Sequence, residues 1–279
     1  MTTPDCTNGR LLIVATPIGN LSDISQRAVD ALNSADAIAC EDTRHTRKLL
    51  NHIGCNTATF AVHEHNELQG AAAIIERLRK GETVALVSDA GMPGVSDPGA
   101  QVVDRVANAG FSVSVIPGPS AFVAALAVCG FDTQRFVFEG FLSTKASERL
   151  RGLQRIAQET AVSVVYEAPH RLVRLAEELA EHCGQTRRVC LVRELTKLHE
   201  EIWRGTTIEF VRHLGDNVKG ECVVVVEGAP PVDIDDHSIV EALERALAAG
   251  LTKKAASEEV SEKLHVPKNR VYSIALSLK

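Results

Sequence analysis

Short β-branched runs alternate with segments of helical apolar spacing from the start of this chain, and that alternation restricts its fold most. Residues 11–15, 37–40, 59–62, 83–87 and 112–116 read as strands. Between them, Ile24, Ala28, Ala31, Leu32 and Ala35 recur at three-to-four spacing, with Asp23 as a plausible helix N-cap. Residues 43–52 and 68–80 read as further helices, closed by Gly54 and Gly81 in the position where a helix ends on a left-handed residue. The pattern predicts a five-strand α/β domain over residues 1–130, with a helix over 120–128 leading out of it.

A second α/β domain is expected over residues 131–229. Residues 135–141, 162–167, 188–192 and 221–227 read as strands, 150–158 and 172–182 as helices, and 200–204 as the arm of a hairpin. A proline-rich linker, G-A-P-P-V-D-I-D-D, follows at 228–236. Residues 237–279 then turn wholly helical, with segments at 238–249, after Gly250-Leu251-Thr252, and from Pro267. The two short helices joined through L-H-V-P are helix-turn-helix-like. This appendix reads either as a cap packed on protein or as a nucleic-acid contact through Lys253, Lys254, Lys268 and Arg270.

Composition narrows the function. Apolar residues make up 45% and aromatics only 4%, which suits α/β cores built from Val, Ala, Leu and Ile. No apolar stretch is long enough for a membrane span, and M-T-T-P-D-C-T-N-G-R has no signal-peptide core, so a soluble cytoplasmic protein without membrane partners is expected. The seven cysteines, Cys6, Cys40, Cys55, Cys129, Cys183, Cys190 and Cys222, form no C-x-x-C pair, so neither zinc nor a disulfide framework is expected. A net charge of −6 argues against coating nucleic acid non-specifically, though it leaves room for a local basic patch.

Two proline–glycine loops follow strands: S-D-A-G-M-P-G-V-S-D-P-G at 88–99 and I-P-G-P-S-A at 116–121. In open α/β sheets, ligands sit beyond the carboxyl ends of strands, so the loops mark a small-molecule pocket. Asp89 reads as a turn cap or as a carboxylate beside a cationic or ribose-bearing ligand. Pro119 can occupy the first turn of a helix, leaving amides near Ser120 and Ala121 to hold a ligand. The first loop, A-T-P-I-G-N-L-S-D, is not G-x-G-x-x-G, and no G-x-x-x-x-G-K-[ST] occurs, which disfavours nicotinamide and nucleoside-triphosphate chemistry.

The runs A-T-P-I-G-N-L-S-D-I-S-Q-R-A, A-C-E-D-T-R-H-T-R-K-L-L, S-D-A-G-M-P-G-V-S-D-P-G and P-G-P-S-A closely resemble the tetrapyrrole-methylase superfamily, and within it the bacterial small-subunit rRNA (cytidine-2′-O-)-methyltransferase branch. H-E-H-N-E, F-E-G-F-L, Y-E-A-P-H-R, R-E-L-T-K and G-E-C-V-V-V-V-E-G extend the likeness in order to the linker. The resemblance implies two α/β domains, S-adenosyl-L-methionine in the cleft between them, small-subunit ribosomal RNA as substrate, and a homodimer. By motif it implies cofactor contacts at Pro17, Asp89, Ala90, Gly91, Met92, Ser120, Ala121, Tyr166 and Ala168, with the strand after Gly220 in the second wall. Where the family commonly has G-D-P, this chain has Asp89-Ala90-Gly91, which argues against a porphyrinoid substrate.

A ribose hydroxyl is a poor nucleophile, so a proton acceptor beside it would help. Candidates are Glu41, Asp42, Glu64, Glu167 and His170. Each has a structural alternative: a helix cap for Asp42, an ion pair for Glu41 or Glu167, a turn for 63–67. Arg44, Arg47, Lys48 and Arg171 stand near these motifs as candidate phosphate contacts. A methylase of a tetrapyrrole or protein side chain, and a non-catalytic cofactor sensor acting on nucleic acid, are the competing readings.

Overall fold

In a computed structural model of the chain, residues 9–215, 218–230, 235–264 and 266–278 are described. Cys6, part of the linker (231–234) and His265 lie outside the described residues. The chain divides into two compact units, Met1–Ala229 and Pro230–Lys279.

The first unit holds two five-stranded sheets. Strands β1 (Arg10–Val14), β2 (Ala37–Cys40), β3 (Thr59–Ala61), β4 (Thr83–Val87) and β5 (Ser112–Ile116) pair in the order β3-β2-β4-β1-β5, all parallel. A parallel sheet is covered on both faces, which is why β2 is apolar and buried throughout. One face packs Leu12, Val14 and Ile38 against α1 (Gln26–Ser34) and α2 (Thr43–His52) through Leu32 and Leu50. The other packs Leu11, Ile13 and Leu86 against α3 (Glu67–Arg79) and α4 (Ala100–Asn108). Parallel pairing brings the carboxyl ends of all five strands, and the loops that follow them, to one edge.

The second sheet contains β6 (Phe136–Phe141), β7 (Val162–Glu167), β8 (Arg188–Arg193), β9 (Glu201–Thr206) and β10 (Cys222–Val226), in the order β6-β7-β10-β8-β9. Only β6 and β7 are parallel; β8 and β9 form the expected hairpin. One face is covered by α6 (Ala146–Gln158), α7 (Leu172–His182) and α8 (Thr207–His213). The opposite face is covered by α5 (Ala121–Cys129), whose Ala125, Leu126 and Cys129 pack on Val162, Val164, Cys190 and Val225. The helix expected to lead out of the first domain is thus part of the core of the second sheet.

Local corrections follow from capping chemistry. Asp23 lies in a 3-10 turn (Leu21–Asp23); extended backbone at Ile24 interrupts it, and the Ser25 hydroxyl caps α1 by accepting from Ala28 N at 3.2 Å. Pro119 precedes the helix, because Ser120 is the N-cap and α5 begins at Ala121. Helix α8, absent from the sequence reading, starts with a reciprocal capping box between Thr206 and Glu209. Cys40, Cys55, Cys129, Cys190 and Cys222 are buried thiols, and burial pushes Cys190 and Cys222 up to about 11, consistent with inert core residues.

The second unit is a three-helix cluster of α9 (Asp236–Ala248), α10 (Lys253–Leu264) and α11 (Lys268–Ser277) around Ile239, Leu243, Val260 and Val271. Three of the four basic residues named above have acidic or carbonyl partners: Arg270 pairs with Asp236 at 2.7 Å, Lys268 pairs with Glu258, and Lys253 Nζ donates to the Leu278 carbonyl. Among the described residues, no helix is long and apolar enough to cross a membrane.

Candidate active site

The glycine-rich loop after β4 is tied down at both ends. Thr16 N donates to Gly91 O at 2.9 Å and Gly91 N to Thr16 O at 3.1 Å, stitching this loop to the one after β1. Gly91 sits at φ 79°, where a side chain would be strained. At the other end, the buried Glu67 carboxylate accepts from Gly99 N at 2.8 Å and Gln101 N at 3.0 Å. The loop after β1 also meets the second sheet's β8–β9 connection: a Cβ on Gly19 would lie 2.6 Å from Lys197 Cγ.

These loops and the ends of β7, β8 and β10 enclose a cleft of about 380 Å³. Ala90, Gly91, Met92, Ser120, Ala121, Tyr166 and Ala168 line it, together with Ile18, Phe141, Leu195, Cys222 and Val223. Tyr166 is fixed by accepting, at its hydroxyl, from Phe122 N in the first turn of α5 at 3.2 Å, and burial raises its pKa. Phe138 and Phe141 stand edge-on to its ring at 5.0 and 5.5 Å.

Pro17 and Asp89 are not among the lining residues. Pro17 is buried. Asp89 Oδ1 accepts from Asp42 N at 3.2 Å, while the Glu41 carboxylate accepts from the Asp89 amide. The exchange joins the loops after β2 and β4. Burial and the Asp89 charge raise Glu41, whereas Asp42 caps α2 through Arg44 N and His45 N and is held below its usual range. Glu64 is exposed on a turn, and His170 is exposed in the 3-10 turn Pro169–Arg171.

Glu167 reaches the cleft wall with its carboxylate already saturated. Oε2 accepts from both Nη atoms of Arg149 at 3.1 Å; Oε1 accepts from Ala168 N at 2.9 Å and pairs with Arg171 Nη2 at 2.6 Å. Arg149 Nε continues to Glu178 at 2.7 Å. A buried carboxylate that already accepts from four donors has no lone pair left for a substrate proton. The ion-pair alternative describes Glu167, and the same pair draws Arg171, only 20% exposed, away from solvent phosphate. Arg44, in contrast, is 93% exposed, Lys48 is exposed, and Arg47 Nη2 donates to Thr59 Oγ1 at 3.2 Å; all three lie on α2 at the ligand edge of the sheet.

Asp97 was not singled out in the sequence, yet it lines the cleft. Burial first, then the Glu41 charge, pushes its carboxyl up to about 6 against a lowering contact from the Ser88 hydroxyl. Its neighbour Ser96 has φ 61°. The other described non-glycine residues with positive φ, Glu194 and Thr196, flank the lining residue Leu195. Strained backbone therefore gathers around this cleft, as it does at functional sites. A second aspartate in S-D-P-G was the available signal, hidden by its resemblance to ordinary turn chemistry.

Residues 10–210 match the family of tetrapyrrole (corrin/porphyrin) methylases. The chain belongs to that family. The chain is 43% identical to ribosomal RNA small subunit methyltransferase I of Synechocystis sp., over 97% of this chain and 98% of the relative. It is 41% identical to the protein of the same name from Escherichia coli O157:H7, over 98% and 96%. In fold it is similar to the crystal structure of the methyltransferase CobJ, with TM-score 0.61 and 21% identity over 81% of this chain and 97% of that one. The architecture of two α/β layers meeting at a cleft is thus the family's own.

Proposed function

We propose that this chain transfers a methyl group from S-adenosyl-L-methionine to the ribose 2′-hydroxyl of a cytidine in the decoding region of 16S ribosomal RNA. Near end-to-end identity with relatives named for small-subunit rRNA methylation carries the reading. On this reading the enzyme works with ribosomes in the cytoplasm.

The cleft suits the cofactor chemically. Its largely apolar lining can receive a flat base and a methionine chain, the backbone at 90–92 and the start of α5 offer polar groups, and Asp97 supplies negative charge. When bound, the cofactor supplies an electrophilic methyl on a sulfonium. The proposed contacts are Ala90, Gly91, Met92, Ser120, Ala121, Tyr166 and Ala168, with Pro17 and Asp89 shaping the wall from behind. The protein's part is to align donor and acceptor, which by itself can remove a large share of the barrier.

Arg44, Arg47 and Lys48 are the proposed phosphate contacts, on the helix that leaves the ligand edge of the sheet. A homodimer is supported by exposed Val115, Val123, Phe136 and Phe141, which sit on edge strands β5 and β6 and on α5.

The test is labelled-methyl transfer offered to small subunits, to naked rRNA and to a tetrapyrrole. Transfer to subunits or rRNA is expected. Transfer to the tetrapyrrole alone overturns the substrate, and cofactor binding without transfer to any of them points to a sensor.

A further inference from the structure

We infer that Glu194 is a positioning residue that presets the second wall of the cleft, fastening Leu195 to residues 221–223 before a ligand arrives. The inference rests on the cofactor reading above and gives the R-E-L-T-K motif a task.

The loop after β8 carries backbone costs that a hairpin connection does not need. Glu194 and Thr196 stand in the left-handed region at φ 50° and 65°, where a β-branched residue is a rare exception. Thr196 Oγ1 is buried with no hydrogen-bond partner among the described residues, a further cost in free energy. Leu195, between the two, is the residue of this loop that lines the cleft. Costs on both neighbours of one lining side chain mean that its placement is held against local preference.

Glu194 supplies the hold. Its amide donates to Glu221 O at 3.0 Å, continuing the β8–β10 ladder one pair beyond Arg193 and Cys222. Its Oε1 accepts from Glu221 N at 2.9 Å and from Lys197 Nζ at 2.8 Å. Lys197 Nζ also reaches Glu221 Oε2 at 2.9 Å and closes the ring. Gly220 permits this approach, because a Cβ there would overlap Glu194 Cγ. Glu221, Cys222 and Val223 line the cleft directly after the junction. The loop's other side rests on the first sheet. Leu195 O and Thr196 Oγ1 lie 2.8 and 2.9 Å from where a Cβ on Gly19 would sit, beside the lining residue Ile18.

An exposed ion pair contributes little. Glu194 is 21% exposed, and its carboxylate binds a backbone amide of the neighbouring strand, which a pair kept for surface charge does not do. Lys197 and Glu221 N hold its pKa below the usual carboxylate range, so the clasp is closed throughout neutral pH. A pocket whose walls are fixed beforehand binds its ligand without the cost of ordering them.

The experiment compares full-length wild type with Glu194→Ala, Glu194→Gln, Leu195→Ala and the Glu194→Ala/Leu195→Ala double variant. Calorimetry measures S-adenosyl-L-methionine affinity, and hydrogen exchange reads the Glu221 amide. Single-turnover transfer to small subunits at saturating cofactor reads the chemistry. Glu194→Ala should bind cofactor about tenfold more weakly, with a saturated rate within about twofold of wild type. Its Glu221 amide should exchange faster while the amides of β7 keep the wild-type rate. Glu194→Gln keeps an acceptor for Glu221 N and should recover most of the affinity. In the Leu195→Ala background the loss from Glu194→Ala should shrink to about threefold, because part of it is transmitted through Leu195. Wild-type affinity in Glu194→Ala, a Gln variant as weak as Ala, or losses that multiply fully in the double variant overturns the proposal. Faster exchange in β7 as well as at Glu221 marks a merely structural role and overturns it too. A wild-type chain that binds no S-adenosyl-L-methionine defeats the cofactor reading instead, and exchange at Glu221 still decides whether Glu194 holds the wall.

Discussion

Glu167 and Asp97 are two carboxylates on one cleft whose neighbours give them opposite tasks. Glu167 is fully buried and neutralised by two arginines, so its charge is structural. Glu167→Gln leaves Arg149, 2% exposed, with Glu178 as its remaining ion-pair partner and takes the partner from Arg171, and should cost about 3 kcal/mol in a denaturant titration. Asp97 behaves in the other sense. Its folded pKa of about 6 lies above the unfolded value of 3.8, so the folded state holds the proton more tightly. The associated stability is present in acid and is lost as pH rises through about 6. Asp97→Asn should therefore raise Tm at pH 8 and lose that advantage near pH 3.5; an equal change at both pH values would contradict the raised Asp97 pKa. Arg44, almost wholly exposed, has a purely electrostatic prediction. Arg44→Ala should weaken RNA binding and reduce its salt slope by about one, with cofactor affinity unchanged.

The loop after β4 shows what an element adds to its residues. Gly91 allows the Thr16 stitch because it adopts φ 79°, and space alone is no obstacle there, the nearest atom to a Cβ being Ile18 Cγ2 at 3.5 Å. Gly91→Ala should cost about 1–2 kcal/mol through backbone strain, read as a lower Tm together with weaker cofactor binding. Strands such as β4 and β5 were readable in the sequence because short runs rich in β-branched residues, set between glycine and proline loops, have few other uses. The helix pattern also carried α2 and α7 to their ends. Helix α8 was missed because its seven residues hold too few apolar repeats, although Thr206 and Glu209 spelled its cap. The cleft's second wall depended on which strands pair, and pairing of β10 between β7 and β8 is not written in any local pattern. For the same reason Asp97 looked like a turn residue: Glu41 and Tyr166 reach it only through long-range topology.

Across the molecule, every residue lining the cleft belongs to the unit Met1–Ala229, so the proposed chemistry needs nothing from the C-terminal helices. Those helices have their own apolar core, and several of their basic side chains are paired internally. RNA contact is accordingly proposed for the basic face of α2, and a second copy of the chain is proposed to cover the exposed apolar side chains of β5, α5 and β6. This division of labour stands or falls with the substrate. Mass mapping of 16S rRNA from cells with and without this gene tests it most directly. The account predicts loss of one methyl group from the ribose of a single decoding-region cytidine, restored by the wild-type gene; an unchanged map would contradict it.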